Sequence, residues 1–207
     1  MVKSSDSSLV VRDTSFLNLN RLMDCTEAEG PGKRFSLWVQ GCLKKCPGCC
    51  NQEMQEVKPN IVISVDNLWA SVERSMQANN IEGITFLGGE PMLQAKGLWR
   101  IAKLCKENDL SVIVFTGYTY KELLLNNPQI ENVSDLLLYT DVLIDGSYIE
   151  SNRDYHRNWV GSKNQEFHYL THRYASSIET DYRYRNVIEV EFNLDGIHVS
   201  GCPKSIK

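Results

Sequence analysis

The sequence predicts an α/β fold in which parallel strands curl into a partial (βα) barrel. Three observations predict it. Four apolar, β-rich runs, Phe35–Gln40, Gly83–Leu87, Ser111–Phe115 and Asp141–Asp145, alternate with segments of helical period. Strands separated by helices pair in parallel, and right-handed crossovers curl such a sheet. The chain has 207 residues, fewer than the roughly 250 of a complete eight-fold barrel, so closure is expected to be partial.

Taken in order, residues 1–17 form a polar, Ser-rich N-terminal extension with no apolar leader segment. Asp24–Lys33, containing Pro31-Gly32, reads as a loop leading into the first strand. Val65, Leu68, Trp69, Val72 and Met76 share one helical stripe, and Leu98, Ile101, Ala102 and Cys105 share a second. Shorter helices are expected over about Tyr120–Leu125 and Val133–Leu138. From Gln165 the grammar changes. Glu166–Thr171 and Val187–Phe192 read as strands, and Asp195-Gly196 as a tight turn into Ile197–Val199. The expected organisation is a core over 18–165 and a small C-terminal antiparallel β appendage of the same domain over 166–207.

Net charge is −4, without the basic stripe of a nucleic-acid binder. No run of eighteen apolar residues suggests a membrane span. A cytoplasmic protein is expected, in which 7 cysteines read as metal ligands or buried thiols rather than disulfides. Cys105 sits on an apolar helix stripe and reads as a small core residue. Cys25 and Cys202 are isolated and read as core or half-buried thiols, with a second metal site as the alternative.

Three thiols, Cys42, Cys46 and Cys49, fall within eight residues on the loop after the first strand. Thiolates are soft ligands that suit iron–sulfur clusters, and three of them on one cubane leave one iron open for chemistry. A structural zinc site is the alternative and needs a fourth ligand. Cys50 would have to supply it, but adjacent residues point in different directions. Ligands in parallel α/β folds collect at the C-terminal strand ends. The other three strands end in Gly88-Gly89-Glu90-Pro91, Thr116-Gly117-Tyr118 and Asp145-Gly146. Paired glycines let backbone carbonyls approach a cationic amine closely, and Glu90 adds negative charge. Pro91 also suits the start of a following helix.

The Cys-x3-Cys-x2-Cys loop, followed about forty residues later by Gly-Gly-Glu-Pro, resembles the radical S-adenosylmethionine enzymes. Gly30-Pro31-Gly32-Lys33-Arg34, Gln40-Gly41-Cys42, Cys46-Pro47-Gly48-Cys49, Phe115-Thr116-Gly117-Tyr118, Asp141–Gly146 and Gly161–Gln165 narrow the resemblance. From about Asn18 to Pro203 the chain is similar to the activating proteins of anaerobic ribonucleoside-triphosphate reductase. The resemblance implies a partial βα barrel of radical S-adenosylmethionine type and a [4Fe-4S] cluster. That cluster reductively cleaves S-adenosylmethionine to methionine and a 5′-deoxyadenosyl radical. The radical then takes hydrogen from a glycine of the large reductase subunit, the glycyl-radical partner. It also implies a flavodoxin-like or other low-potential electron donor.

By position, Cys42, Cys46 and Cys49 would be the cluster ligands, with Gly48, Cys50, Gly88, Gly89 and Glu90 against the cofactor. Thr116 and Tyr118 would line the ribose side and Asp145 would orient substrate or cofactor, the alternative for each being an ordinary turn or a satisfied core group. Arg153 and Arg157 read as solvated loop arginines, with an acidic partner as the alternative. Departures from the family pattern are Cys50 in place of a larger residue, Cys202 between Gly201 and Pro203, and the N-terminal extension. Other readings of the chain are radical chemistry on a peptide or small molecule, and a non-enzymatic iron–sulfur carrier or zinc module.

Overall fold

The computed structural model of the chain describes residues 15–125, 130–185, 187–193 and 196–201. Most of the expected N-terminal extension, the turn residue Asp195 and Cys202 lie outside the described residues. In chain order the strands are β1 (Phe16–Thr26), β2 (Arg34–Val39), β3 (Ile61–Ser64), β4 (Gly83–Gly88), β5 (Ser111–Phe115), β6 (Val142–Asp145), β7 (Glu166–Tyr169), β8 (Glu189–Asn193) and β9 (Gly196–Ser200). The helices are α1 (Val65–Asn79), α2 (Ala95–Glu107), α3 (Tyr120–Leu124) and α4 (Val133–Leu138). Seven strands form one mixed sheet in the order β3-β1-β2-β4-β5-β6-β7. Its centre, β2 to β6, is parallel, and both flanks are antiparallel. β8 and β9 pair as a separate antiparallel hairpin. Among the described residues no helix is long and apolar enough to cross a membrane.

Period-two alternation sorts the central strands. Phe35, Leu37 and Val39 of β2, Ile84 and Phe86 of β4, Val112 and Val114 of β5 and Leu143 of β6 pack against Leu68 and Val72 of α1 and Leu98, Ile101 and Cys105 of α2. Each such side chain, removed from water, contributes about 1.5–3 kcal/mol. Trp38 and Leu87 face the other side with Met23 and Met54, as do Ile113, Val142 and Ile144 with Val160. The strand-to-helix switch is local at two places. Ser64 closes β3 and its hydroxyl accepts from Asn67 N at 3.2 Å, capping α1. Thr119 and Glu122 form a capping box that starts α3.

The structure departs from the sequence reading at both flanks. β7 pairs antiparallel with β6, from Val142 opposite Tyr169 to Asp145 opposite Glu166. The expected appendage beginning at residue 166 is therefore corrected: its first strand completes the main sheet and covers the β6 edge, whose backbone groups would otherwise lack partners. Among the described residues, only the β8–β9 hairpin stands apart from the main sheet. On the opposite flank, β1 and β3 add two strands that were not expected. Leu17 and Leu19 of β1 are buried between the more exposed Asn18 and Asn20, and the short edge strand β3 leaves Ile61 and Val62 exposed.

Arg34, with no exposed surface, fastens the strand starts on the rim opposite the cysteines. It donates to Thr85 Oγ1 at 2.6 Å, Ile84 O at 2.6 Å, Ser111 Oγ at 2.9 Å and Tyr174 OH at 3.2 Å. Burial pushes its pKa down. These partners are neutral, so removal of the guanidinium strands several buried acceptors at once. Arg34→Met is expected to lose on the order of 3 kcal/mol of stability in urea unfolding, and Arg34→Lys to recover little because an ammonium lacks the planar fork. An unchanged unfolding midpoint in Arg34→Met would refute this account.

Candidate functional site

The cysteine loop leaves the C-terminal end of β2 and is closed at its neck by backbone pairing. Gly41 N donates to Met54 O at 2.8 Å and Cys42 N to Gln55 O at 3.0 Å. Gly41 and Gly48 take φ of +99° and +71°, which glycine adopts without strain. Inside the loop, Cys49 N donates to Cys46 O at 3.3 Å and Gln55 Nε2 to the same carbonyl at 3.3 Å. Cys42 is buried, Cys46 and Cys49 are half-buried and Cys50 is exposed. Burial pushes the Cys42 thiol up. The Cys49 thiol is drawn down to about 6, first by its hydrogen bond with Cys50 and also by Asn51 N–H and Gln55, against the effect of burial. A thiolate is the form that ligates metal. Cys25 is half-buried beside the main core and Cys105 is fully buried, and burial pushes both thiols up.

The end of β4 lies directly on this loop. A Cβ at Gly88 would sit 2.6 Å from Trp38 Cα and Val39 N, and one at Gly89 would sit 2.4 Å from Gly41 O. The two glycines therefore let β4 and the loop neck approach backbone to backbone, a use the sequence reading did not assign. Gly89 N donates to Val39 O at 2.8 Å and Glu90 N to Gly41 O at 2.9 Å. Asn51 Nδ2 reaches Gly88 O at 3.4 Å. Glu90 is fully buried and accepts from Met92 N at 3.0 Å, Thr116 Oγ1 at 2.7 Å and Gly117 N at 2.8 Å. Burial pushes its carboxyl up, while these donors pull it back.

Four strand ends open onto one cleft of about 640 Å³. Cys42, Cys46, Gly48, Cys49 and Cys50 line it together with Gly88, Gly89, Glu90, Thr116, Gly117 and Gly146. Tyr118 and Asp145 are not among the lining residues. Tyr118 lies beneath Lys44, whose Nζ is 4.0 Å from the ring centroid, and burial pushes its phenol up. Asp145 accepts from Tyr120 N at the start of α3 and from Glu166 N on β7, and its carboxylate is 3.0 Å from His168 Nε2. Its contacts are those of a group joining β6, β7 and α3. Arg157 bonds Asp154 Oδ2 at 2.7 Å and Gln165 O at 2.8 Å, which folds its own loop. Arg153 lies on the cleft rim and donates to Tyr148 OH at 2.9 Å.

The second wall was not foreseen. Arg21 and Glu29, Trp38, Tyr148, Asp154, Tyr155, Trp159, Ile197 and Val199 all line the cleft. Arg21 Cζ stacks 3.9 Å over the Trp38 ring, and its buried Nε has no hydrogen-bond partner among the described residues. Burial pushes Arg21 down and Glu29 up; Glu29 accepts from Gly201 N at 2.6 Å. Trp38 lies within the run Phe35–Gln40 read as the first strand, without being marked as a site residue. Glu29 lay in the segment read as a loop and Arg21 in a stretch given no element, and no motif marked either.

Known proteins agree with the chemistry of this donor set. Residues 28–168 match the family described as a 4Fe-4S single cluster domain. The anaerobic ribonucleoside-triphosphate reductase-activating protein of Enterobacteria phage T4 is 30% identical over 154 residues, spanning 72% of this chain and 92% of its own. The proteins of the same name from Vibrio cholerae and Escherichia coli K12 are 29% and 31% identical, spanning 75% and 74% of this chain and 99% of theirs. Among solved structures, QueE from Escherichia coli aligns over 50% of this chain and 54% of its own at 19% identity with a TM-score of 0.43, too slight a likeness to argue from. The chain belongs to the anaerobic ribonucleoside-triphosphate reductase-activating protein family.

Two outcomes follow from the geometry. Gly89→Ala drives a Cβ into Gly41 O and is expected to displace the loop neck, costing about 1–3 kcal/mol in thermal unfolding and lowering the iron bound per chain after reconstitution. Normal iron content and stability would contradict the close approach. At Asp154, burial opposes the charge, but donation from His156 N, Arg157 N and Arg157 Nε holds the carboxyl at about 2. With its folded pKa depressed, its stabilisation is complete above the usual carboxylate pKa of about 3.9 and is lost as pH falls toward the folded value. Asp154→Asn is expected to cost on the order of 2 kcal/mol at neutral pH and to flatten the acid limb of the stability–pH curve below about pH 4. An acid limb identical to wild type would reject that assignment.

Proposed function

We propose that the protein is a radical S-adenosylmethionine activase that generates a glycyl radical on an anaerobic ribonucleotide reductase. The observation that carries the reading is the cysteine loop packed against the Gly88–Pro91 turn across one cleft at the ends of parallel strands. The donor set fits a [4Fe-4S] cluster: three thiols on one loop, all lining the cleft, with Cys49 drawn toward its thiolate. Cys42, Cys46 and Cys49 would hold the cluster. When bound and reduced, the cluster supplies the electron that splits S-adenosylmethionine into methionine and a 5′-deoxyadenosyl radical, and that radical takes a hydrogen atom from the partner's glycine. The helices on one face of the sheet support a partial barrel whose other face adjoins the cleft.

The chain's own residues would bind, orient and exclude water. Gly88, Gly89 and the buried Glu90 would form the cofactor wall, with Gly48, Cys50 and Thr116 beside it. Tyr118 and Asp145 would act behind that wall by fixing the loops that carry Thr116 and Gly146. The electron would come from a flavodoxin-like or other low-potential donor.

The test is anaerobic reconstitution with iron and sulfide, reduction by dithionite and measurement of 5′-deoxyadenosine from S-adenosylmethionine. With the reductase added, a glycyl-radical signal in electron paramagnetic resonance is expected. Cys46→Ala should lose the cluster and all cleavage, whereas Cys105→Ala, buried among helix side chains, should keep cleavage. Full cleavage by Cys46→Ala would sink the proposal.

A further inference from the structure

The β8–β9 hairpin wears its polarity inside out. Val190 and Phe192 on β8 stand opposite Val199 and Ile197 on β9, so the four share one face, and they are 49%, 79%, 49% and 65% exposed. The alternate residues Glu189 and Ser200 share the opposite face and reach Met23 of β1 and Glu27 just beyond it. Glu189 Oε1 accepts from Glu27 N at 2.8 Å and Ser200 Oγ lies 2.7 Å from Met23 Sδ. Arg21 Nη1 adds a bond to Val199 O at 3.3 Å. A hairpin held to its domain by its polar face leaves the apolar face bare, the reverse of the usual pattern, and contiguous bare apolar surface marks an interaction site.

Continuity with the cleft identifies the occupant. Ile197 and Val199 belong both to the bare face and to the cleft lining. A small molecule held within the cleft has no use for Val190 and Phe192, which lie outside the lining. A second copy of this chain seated on the face would cover the cleft mouth and block it. A macromolecule that presents one backbone atom to the cleft must cover the face to do so. We propose that the apolar face of the hairpin receives an apolar segment of the reductase next to its target glycine, and that this contact steers the glycine to the cleft. The inference rests on the activase reading and adds the surface through which the partner is recognised.

The experiment titrates the reconstituted protein with the large reductase subunit encoded in the same genome, under anaerobic conditions, for wild type, Val190→Ser, Phe192→Ser and Leu138→Ser. Leu138 is 71% exposed on α4 and is not among the cleft-lining residues, so it controls for loss of surface apolarity. Each hairpin variant is expected to bind the reductase about tenfold more weakly or worse, equivalent to about 1.4 kcal/mol or more, and to lower the glycyl-radical yield. Leu138→Ser should bind as wild type does. Equal affinity in a folded Val190→Ser or Phe192→Ser overturns the proposal. Loss of folded signal in circular dichroism by both variants also overturns it, because the face is then packed within the protein. So does a wild-type dimer that Phe192→Ser dissociates, which assigns the face to a second copy. Failure of the activase reading is separate: wild type would bind the reductase through this face yet yield no 5′-deoxyadenosine.

Discussion

A carboxylate with no exposed surface must find its donors inside the protein, and at Glu90 that requirement knits the whole rim together. Its oxygens accept from the turn after β4 and from the loop after β5, while its own N–H donates to Gly41 in the neck of the cysteine loop. Three chain segments far apart in sequence thereby share one anchor. Oε1 accepts from both Met92 N and Thr116 Oγ1, whereas Oε2 accepts from Gly117 N, so loss of the Gly117 bond removes that buried oxygen's donor among the described residues, at a cost above the average worth of a hydrogen bond. The position of the thiols relative to β4 is set by this anchor as much as by their own loop. The carboxyl group to which the sequence reading gave a negative charge thus holds the rim together while also lining the cleft.

The paired glycines illustrate how one residue type can answer two demands. Bare backbone at 88 and 89 is consistent with a ligand's close approach, which is how the sequence reads. The same bareness is required by packing, because Trp38, Val39 and Gly41 already occupy the space a Cβ would take. Gly88 also adopts φ +106°, outside the range of ordinary residues. Removing either glycine would disturb the loop before any ligand is considered. A motif that survives substitution badly is therefore not by itself proof of ligand contact.

Much of the fold was legible because the parallel core writes itself in apolar runs. β5 was bounded to the residue, and β2, β4 and β6 to within one. The helices that cover them announced themselves by period. The flanks were harder for physical reasons. In β1 the alternation of Leu17 and Leu19 with asparagines is diluted by Arg21 and Asp24, and β3 is four residues long with an exposed edge. Strand pairing across distant sequence carries no local mark, so β7 could be read as a strand but not assigned to the main sheet. In the site, the thiols and the glycine turn were legible as motifs. Arg21 and Glu29 were not, since a charged residue becomes part of a cleft wall only through burial that the tertiary fold creates.

The two walls of the cleft are built on different principles, and this divides their consequences. The cysteine wall is fixed by backbone hydrogen bonds between strand ends and by glycines with no room to spare, so changes there displace the cysteine loop. The opposite wall joins Arg21 over Trp38, Glu29 bonded to Gly201 N, and a hairpin attached by polar bonds to β1 and the residue after it. Such an attachment has little apolar area to hold it and opens at lower cost than the sheet. Leaving Phe192 in water forgoes about 1.5–3 kcal/mol that inward burial would have supplied, yet the alternation of β8 consistently turns its glutamates inward. A fold shared by many chemistries acquires its specificity from surfaces of this kind. Under the proposed activase reading, the reaction is set by the first wall, and the molecule that undergoes it by the second.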